Sequence, residues 1–285
     1  MSKTLSNLIQ SSKIGSQISE MVIEEIAGIS KKDIFLKKDV FIVSKDIEEK
    51  YLEIENKILA GVPLQYALSY ANFFGRRFSV TEGVLIPRPE TEVMVLEAIK
   101  FVKTRGSSNK KTCEKFRVVD IGTGSGCVAI SLAAETEEKN KDFNIVIFAS
   151  DISPNALLVA KNNAKLHHAK VQFILSDLLE NKDLPKSFDL ILANLPYLKP
   201  DYIKKNISLK YEPDIALNGG ANGLVIIDRL IDTLKTKLSD NGIAILEIDP
   251  GQTKAIAERL KTKNLSFSFI KDLNLRTRFV QIENN

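Results

Sequence analysis

Val118-Val119-Asp120-Ile121-Gly122-Thr123-Gly124-Ser125-Gly126-Cys127 is the stretch that decides the fold. An apolar strand runs into three alternating glycines. It then enters Val128-Ala129-Ile130-Ser131-Leu132-Ala133, which has the composition of a buried helix. Glycine lets a backbone turn sharply and come close to a ligand. The helix start that follows offers unpaired N–H groups. The spacing is Gly-x-Gly-x-Gly. Cys127 stands where a dinucleotide fingerprint has its third glycine, which argues against a nicotinamide cofactor. Asp151 ends the next apolar run, 27 residues after Gly124, where an acid can hold ribose hydroxyls. Ser153-Pro154 after it make a good N-cap and first helical position, which leaves Asp151 free for a ligand. Asp120 either accepts from a cofactor amino group or braces the turn. Asp177 is a candidate for the far end of the same site.

Outward from this loop, short runs rich in Val, Ile and Phe alternate with helical stretches. The runs are Phe116–Ile121, Asn144–Ser150, Val171–Ser176, Phe188–Ala193, Gly242–Ile248, Leu265–Ile270 and Thr277–Ile282. Such alternation predicts an α/β fold on a mainly parallel seven-stranded sheet. Only Lys271 to Arg276 separate the last two runs. That is too short for a crossover helix, so this pair is expected to be antiparallel. Lys103 to Lys115 reads as a solvated, lysine-rich loop.

Residues 1–70 have a different period. Ile18, Met21, Val22 and Ile26, then Ile47, Tyr51, Ile54, Ile58 and Leu59, recur at helical spacing. Gly28 and Ser30-Lys31-Lys32-Asp33 interrupt the first series, and Gly61-Val62-Pro63 ends the second. A small bundle of four or five helices is expected. Residues 72–80 alternate as a strand or hairpin within a linker, 71–84. The α/β domain then fills 85–285.

The chain has 285 residues, 44% hydrophobic and 27% charged, with a net charge of +4. These values suit a soluble globular protein, and the charge is too small to imply stable nucleic-acid binding. No apolar run reaches the roughly 18 residues of a membrane span, and the N-terminus lacks the pattern of a secretory signal. Cys113 and Cys127 suit a reducing, cytoplasmic setting, and with two histidines no metal site is expected.

The second chemical landmark is Asp189-Leu190-Ile191-Leu192-Ala193-Asn194-Leu195-Pro196-Tyr197, a buried strand ending in a polar turn. In an open α/β sheet the ligand lies beyond the carboxyl ends of the strands, so Asn194 faces the same crevice as Gly122 and Asp151. An amide nitrogen is a poor nucleophile because its lone pair is delocalised. Acceptors for both of its N–H groups fix its orientation and favour pyramidalisation. The Asn194 side-chain oxygen and the Leu195 carbonyl can be those acceptors, and Tyr197 can pack on the flat amide. Attack on a methyl carried by a cationic sulfonium needs positioning and electrostatics more than a tuned base.

These residues resemble the release factor glutamine methyltransferases, often called HemK or PrmC. The resemblance covers nearly the whole chain. It is carried by Gly61-Val62-Pro63-Leu64-Gln65-Tyr66 with Phe73-Phe74-Gly75, and by Val84-Leu85-Ile86-Pro87-Arg88-Pro89-Glu90-Thr91-Glu92. The Asp120–Gly126 loop carries it too, as does Tyr211-Glu212-Pro213 through Ala216-Leu217, Gly219-Gly220 and Gly223-Leu224. It implies a class I, Rossmann-like S-adenosylmethionine-dependent domain and a helical domain that helps bind the protein substrate. The implied reaction is methylation of the glutamine in the Gly-Gly-Gln motif of bacterial class 1 release factors. By motif position, Gly122, Thr123, Gly124, Ser125, Gly126, Asp151, Leu178 and Asn194 would contact the cofactor. Asn194, Leu195, Pro196 and Tyr197 would hold the glutamine. The family pattern is usually Asn-Pro-Pro-Tyr. Here Leu195 keeps the carbonyl but loses proline's fixed φ, while Pro196 still biases Leu195 toward extended backbone. The alternatives are another amide or amine methyltransferase, acting on a ribosomal protein or on adenine, and a non-catalytic cofactor-binding protein.

Overall fold

A computed structural model describes residues 3–106, 115–139 and 144–284. The chain divides into two compact units, Met1–Tyr70 and Ala71–Asn285. Among the described residues the first holds five helices: α1 (Leu5–Gln10), α2 (Ser16–Ala27), α3 (Lys31–Lys37), α4 (Lys45–Leu59) and α5 (Leu64–Leu68). Side chains of Thr4, Ser30 and Ser44 cap α1, α3 and α4 by accepting from backbone N–H groups one turn on. The core is Leu5, Leu8, Val22, Ile23, Ile34, Val43 and Tyr51. The Tyr51 hydroxyl is satisfied inside it by Ser12 at 2.7 Å and Ser19 at 2.8 Å.

The second unit opens with a two-stranded ribbon, β1 (Tyr70–Phe73) and β2 (Arg76–Ser79). Its strand starts two residues ahead of the alternating stretch at 72–80. A short 3-10 turn, Pro89–Thr91, leads into α6 (Glu92–Gly106). The lysine-rich stretch is therefore helical up to Gly106, not loop. Residues 107–114, Cys113 among them, lie outside the described residues. There follow β3 (Phe116–Ile121), α7 (Cys127–Lys139), β4 (Ile145–Asp151), α8 (Pro154–Leu166), β5 (Val171–Leu175) and β6 (Phe188–Ala193). Then come α9 (Pro200–Lys205), α10 (Asp214–Leu217), α11 (Val225–Lys237), β7 (Leu238–Glu247), α12 (Thr253–Thr262), β8 (Leu265–Lys271) and β9 (Thr277–Asn284).

The seven strands β3 to β9 form one sheet in the order β5-β4-β3-β6-β7-β9-β8. The first five in that order are parallel; β9 is antiparallel to both β7 and β8. The expected α/β class and the antiparallel final pair are both present. Alternate residues serve opposite faces, as strand geometry demands. Val119, Ile121, Ile191 and Ala193 pack with α11 and α12 residues such as Ile227, Leu230 and Ile256. Val118, Leu190 and Leu192 pack with α6 and α7 residues such as Met94 and Ile130.

One strand differs from its expected extent. β7 begins at Leu238 rather than Gly242. Ser239-Asp240-Asn241-Gly242 has turn composition, yet it pairs with β6 through a bulge that shifts the register from Phe188↔Leu238 to Leu190↔Ile243. Asp189 pins the irregularity. Its carboxylate accepts from Ser239 Oγ at 2.7 Å and from the Arg117 N–H at 2.7 Å.

From β3 the chain builds outward through β4 to β5, then returns to lay β6 on the other side of β3. The direction reverses between β3 and β6, which pair with Ile121 opposite Ala193. The next residues on the two strands are Gly122 and Asn194. The switch point of the sheet thus brings the two sequence landmarks side by side.

Candidate functional site

The loop after β3 takes its shape from its glycines. Gly122, Gly124 and Gly126 have φ of +68°, +55° and +81°, a region that costs other residues roughly 1–2 kcal/mol each. Their surroundings differ. A Cβ on Gly124 would meet nothing within 4 Å, because it faces an open cleft. A Cβ on Gly122 would press on Leu195 Cδ2 at 3.2 Å. One on Gly126 would lie 2.8 Å from Ile130 Cδ1 and 3.1 Å from the Ala160 Cβ, so Gly126 lets α7 and α8 pack. Of the loop residues, Gly122 and Gly124 line the cleft. Thr123, Ser125 and Gly126 stand behind them, with Thr123 5% and Ser125 2% exposed.

Asp120 braces this loop. Its Oδ2 accepts from Thr123 Oγ1 at 2.6 Å and from the Ala129 N–H at 3.3 Å, and it does not line the cleft. Asp151 does line it. Its two oxygens also accept from the N–H groups of Gly124 and Ser153, each at 2.9 Å. Ser153 caps α8, as its position suggests. Asp151 is therefore not free, as the sequence implied. It holds the loop with one lone pair on each oxygen, and an ionised carboxylate keeps further acceptor capacity for a ligand. Leu178 lines the cleft at φ +49°, and its carbonyl accepts from Ser150 Oγ at 3.3 Å. Asp177 lines it too, with its carboxylate 2.9 Å from an Arg229 nitrogen. Among the described residues no group of His, Cys, Asp or Glu side chains is arranged to hold a metal ion.

The Asn194 turn sits on a network that spans the domain. Asn194 Nδ2 donates to Thr91 Oγ1 at 3.1 Å, and Thr91 Oγ1 donates to Glu247 Oε2 at 2.7 Å. The Tyr197 hydroxyl donates to Glu247 Oε1 at 3.2 Å. The Gln252 side-chain amide donates to the carbonyls of Tyr197 and Gly223 at 3.1 and 2.9 Å. Arg88 pairs with the buried Glu212. Among the described residues neither Asn194 Oδ1 nor the Leu195 carbonyl accepts a hydrogen bond. The Leu195 side chain is buried against Gly122, in the core below β6.

Four residues of the stretch from Val84 to Glu92 have roles in this support. Ile86 fills core, Arg88 pairs with Glu212, Thr91 holds Asn194, and Glu92 Oε1 accepts from the Phe74 N–H at 2.8 Å. The loop from Glu212 to Leu224 closes on the turn from the other side. The Leu198 N–H donates to the Leu217 carbonyl at 2.9 Å, and the Leu198 carbonyl accepts from the Gly219 N–H at 2.8 Å. A Cβ on Gly219 would sit 2.7 Å from the Pro196 carbonyl, so only glycine permits this approach.

Two cavities meet here. The larger is lined by Gly122, Gly124, Asp151, Leu178, Asn194 and Pro196 among others. The smaller is lined by Leu85, Arg88, Asn194, Leu195, Tyr197 and Leu209 among others. Asn194 and Leu195 belong to both walls. The sequence pointed to Asn194, Leu195, Pro196 and Tyr197 but not to Glu247 or Gln252. The available signal was one acid inside the apolar run Ile245-Leu246-Glu247-Ile248.

Burial raises the pKa of Asp120 and of Glu247 to about 7, and raises that of Asp151 as well. The backbone and hydroxyl hydrogen bonds described above pull the other way. A carboxyl whose folded pKa lies above its unfolded value adds stability on protonation. That gain is complete below the unfolded value and lost as pH rises through the folded one. The melting temperature is therefore expected to be higher at about pH 5.5 than at about pH 8. The surface acids Asp33, Glu53 and Asp232, held low chiefly by hydrogen bonds to lysines, oppose this only in more acid solution. Calorimetry across this range checks the sign; a melting temperature that rises with pH would contradict it.

The methyltransferase small domain family model matches residues 107–210. The N-terminal domain of human METTL16 in complex with SAH superposes with a TM-score of 0.52, covering 92% of this chain and 93% of that one. Its sequence identity is 16%, so that likeness concerns the fold alone. The release factor glutamine methyltransferase of Lactococcus lactis is 39% identical over 214 residues, which span 74% of this chain and 73% of that protein. That of Borreliella burgdorferi is 32% identical over 92% of this chain and 87% of its own length. With identity at this level over most of both chains, this protein belongs to the release factor glutamine methyltransferase family.

Proposed function

We propose that this protein transfers a methyl group from S-adenosylmethionine to the side-chain amide nitrogen of the glutamine in the Gly-Gly-Gln motif of bacterial class 1 release factors, in the cytoplasm. One observation carries the reading. Two acceptors that have no other partner among the described residues, Asn194 Oδ1 and the Leu195 carbonyl, belong to residues on the wall between two adjoining cavities. A primary amide has two N–H groups on one nitrogen, and two acceptors are what orient it.

The larger cavity fits the cofactor. Gly124 leaves space that a side chain would fill, Asp151 keeps acceptor capacity for ribose hydroxyls, and Leu178, Ile152 and Ile226 give apolar wall. When bound, S-adenosylmethionine supplies an electrophilic methyl group on a cationic sulfonium. Asn194 and Leu195 hold the glutamine nitrogen by its two protons. Tyr197 and Leu85 confine the amide plane, and the buried walls exclude competing water. Catalysis by this chain is then orientation and electrostatics rather than proton abstraction by a tuned base; the nitrogen gives up one of its two protons to solvent once it carries the methyl group, with S-adenosylhomocysteine as the co-product.

The helical unit has a role of another kind. It exposes Phe35 and Val40, which are 75% and 73% accessible, together with Leu36 and Ile42. Such a patch suits contact with a protein substrate. Deleting residues 1–70 is expected to leave cofactor affinity intact and to reduce methylation of the intact release factor. Equal activity of truncated and full-length protein on that substrate would refute this role. The proposed activity itself is tested by mass spectrometry of a release factor incubated with enzyme and cofactor. The expected product carries one added methyl group, on the Gly-Gly-Gln glutamine.

A further inference from the structure

Behind Asn194 a chain of hydrogen bonds leads away from the cleft and ends on a buried carboxylate. Asn194 Nδ2, Thr91 Oγ1 and Glu247 Oε2 are linked at 3.1 and 2.7 Å, and Tyr197 reaches Glu247 Oε1 at 3.2 Å. Thr91 is 3% and Glu247 2% exposed. Glu247 ends β7, Thr91 ends the 3-10 turn before α6, and Asn194 follows β6. Three distant segments thus meet in one relay.

The two ends of an asparagine amide have nearly the same shape, so packing alone does not decide which faces a ligand. Here the relay decides it. An ionised carboxylate can only accept. Thr91 has one hydroxyl proton and gives it to Glu247, so toward Asn194 it can only accept. Asn194 must then turn its NH2 group to Thr91 and keep Oδ1 for the cleft. We infer that Glu247, acting through Thr91, is a positioning residue that sets the polarity of the Asn194 amide, so that the cleft presents an acceptor to the substrate nitrogen. This inference rests on the amide methylation proposed above.

Protonation on Oε2, the oxygen that faces Thr91, reverses the chain: Glu247 then donates to Thr91, Thr91 donates to Asn194 Oδ1, and the NH2 group faces the substrate NH2 group instead. Burial holds the Glu247 carboxyl up at about 7. Thr91, Arg278 on β9 and Tyr197 pull it down, and Glu90 on the 3-10 turn pushes it up. Arg88 bears on the Tyr197 end of the relay. Methyl transfer should therefore fall as pH drops below about 7, while the fold becomes more stable over the same range.

The test is single-turnover methylation of an intact release factor at saturating S-adenosylmethionine, from about pH 6 to about pH 8.5. The wild type is compared with Thr91→Val and Thr91→Ser. Thr91→Val keeps the shape and removes the relay. It is expected to be about tenfold slower at the alkaline end, the effect of one lost hydrogen bond, and to lose the acid limb. Cofactor affinity should not change. Thr91→Ser should restore both the rate and the limb. A wild-type rate that is flat from about pH 6 to pH 8.5 would overturn the relay with no need of a variant. So would a folded Thr91→Val with the wild-type rate and limb. A wild-type enzyme that leaves the release factor unlabelled defeats the proposed function and takes the relay with it. A labelled release factor with an unaltered Thr91→Val defeats the relay alone.

Discussion

Asn194→Ala should lower turnover on the release factor by roughly a hundredfold to a thousandfold, the usual effect of removing one preorganised contact aimed at a reacting centre. The substitution removes Oδ1, one of two acceptors without a partner among the described residues at the meeting of the cavities, and leaves the Leu195 carbonyl to hold the substrate amide alone. An amide held by one N–H rotates about that bond, and its nitrogen lone pair is no longer aimed. Stability should change little. Asn194 is only part buried, and its one side-chain bond is to Thr91, which keeps its bond to Glu247. Cofactor affinity should change much less than turnover, because the glycine loop, Asp151 and Leu178 remain. Single-turnover kinetics on the release factor, with cofactor affinity measured separately, decide the matter. An Asn194→Ala enzyme with near-normal methyl transfer would show that the turn binds something other than the reacting amide.

The second large effect is at Gly124. Gly124→Val should abolish S-adenosylmethionine binding while the protein still folds. At φ +55° a branched side chain is strained by about 1–2 kcal/mol, a fraction of the stability of an ordinary domain. Beyond its own chain neighbours, no atom of the described residues lies within 4 Å of the added Cβ, so what the side chain meets is whatever occupies the cleft. Gly126→Ala makes the contrast. Its Cβ would run into Ile130 and Ala160, so it should lower the melting temperature. Calorimetric titration of a folded Gly124→Val protein with S-adenosylmethionine checks this. Unchanged affinity would remove the loop from the cofactor site.

Much of this architecture can be read from the sequence, for identifiable reasons. Strands of a parallel sheet are buried on both faces and appear as runs dominated by apolar residues, broken only by single charges such as Asp120 and Asp189. Phe116–Ile121 and Phe188–Ala193 are therefore visible without knowledge of their neighbours. The glycine loop and the Asn194 turn are local signals whose chemistry travels with a few adjacent residues. β7 was harder, because Ser239 to Gly242 has the composition of a turn and becomes strand only through its pairing with β6 and Asp189.

The support of the site is the part that local reading misses. Thr91 lies 103 residues from Asn194 and 156 from Glu247, and neither separation follows from any periodicity. Arg88 and Glu212 are 124 residues apart. Glu247 looks like one charge in a strand until the fold buries it between Thr91 and Tyr197. Asp151 was legible as a cleft residue, but its two bonds to backbone N–H groups appear only once the loop is folded over it.

The measurement that bears most directly on the central claim is a competition for label. The protein is incubated with methyl-labelled S-adenosylmethionine and, in separate reactions, with a bacterial class 1 release factor, ribosomes and DNA. Label should appear in the release factor alone, on the glutamine of its Gly-Gly-Gln motif, and should vanish when that glutamine is replaced by alanine. Label entering a ribosomal protein or adenine while the release factor stays unlabelled would contradict the account.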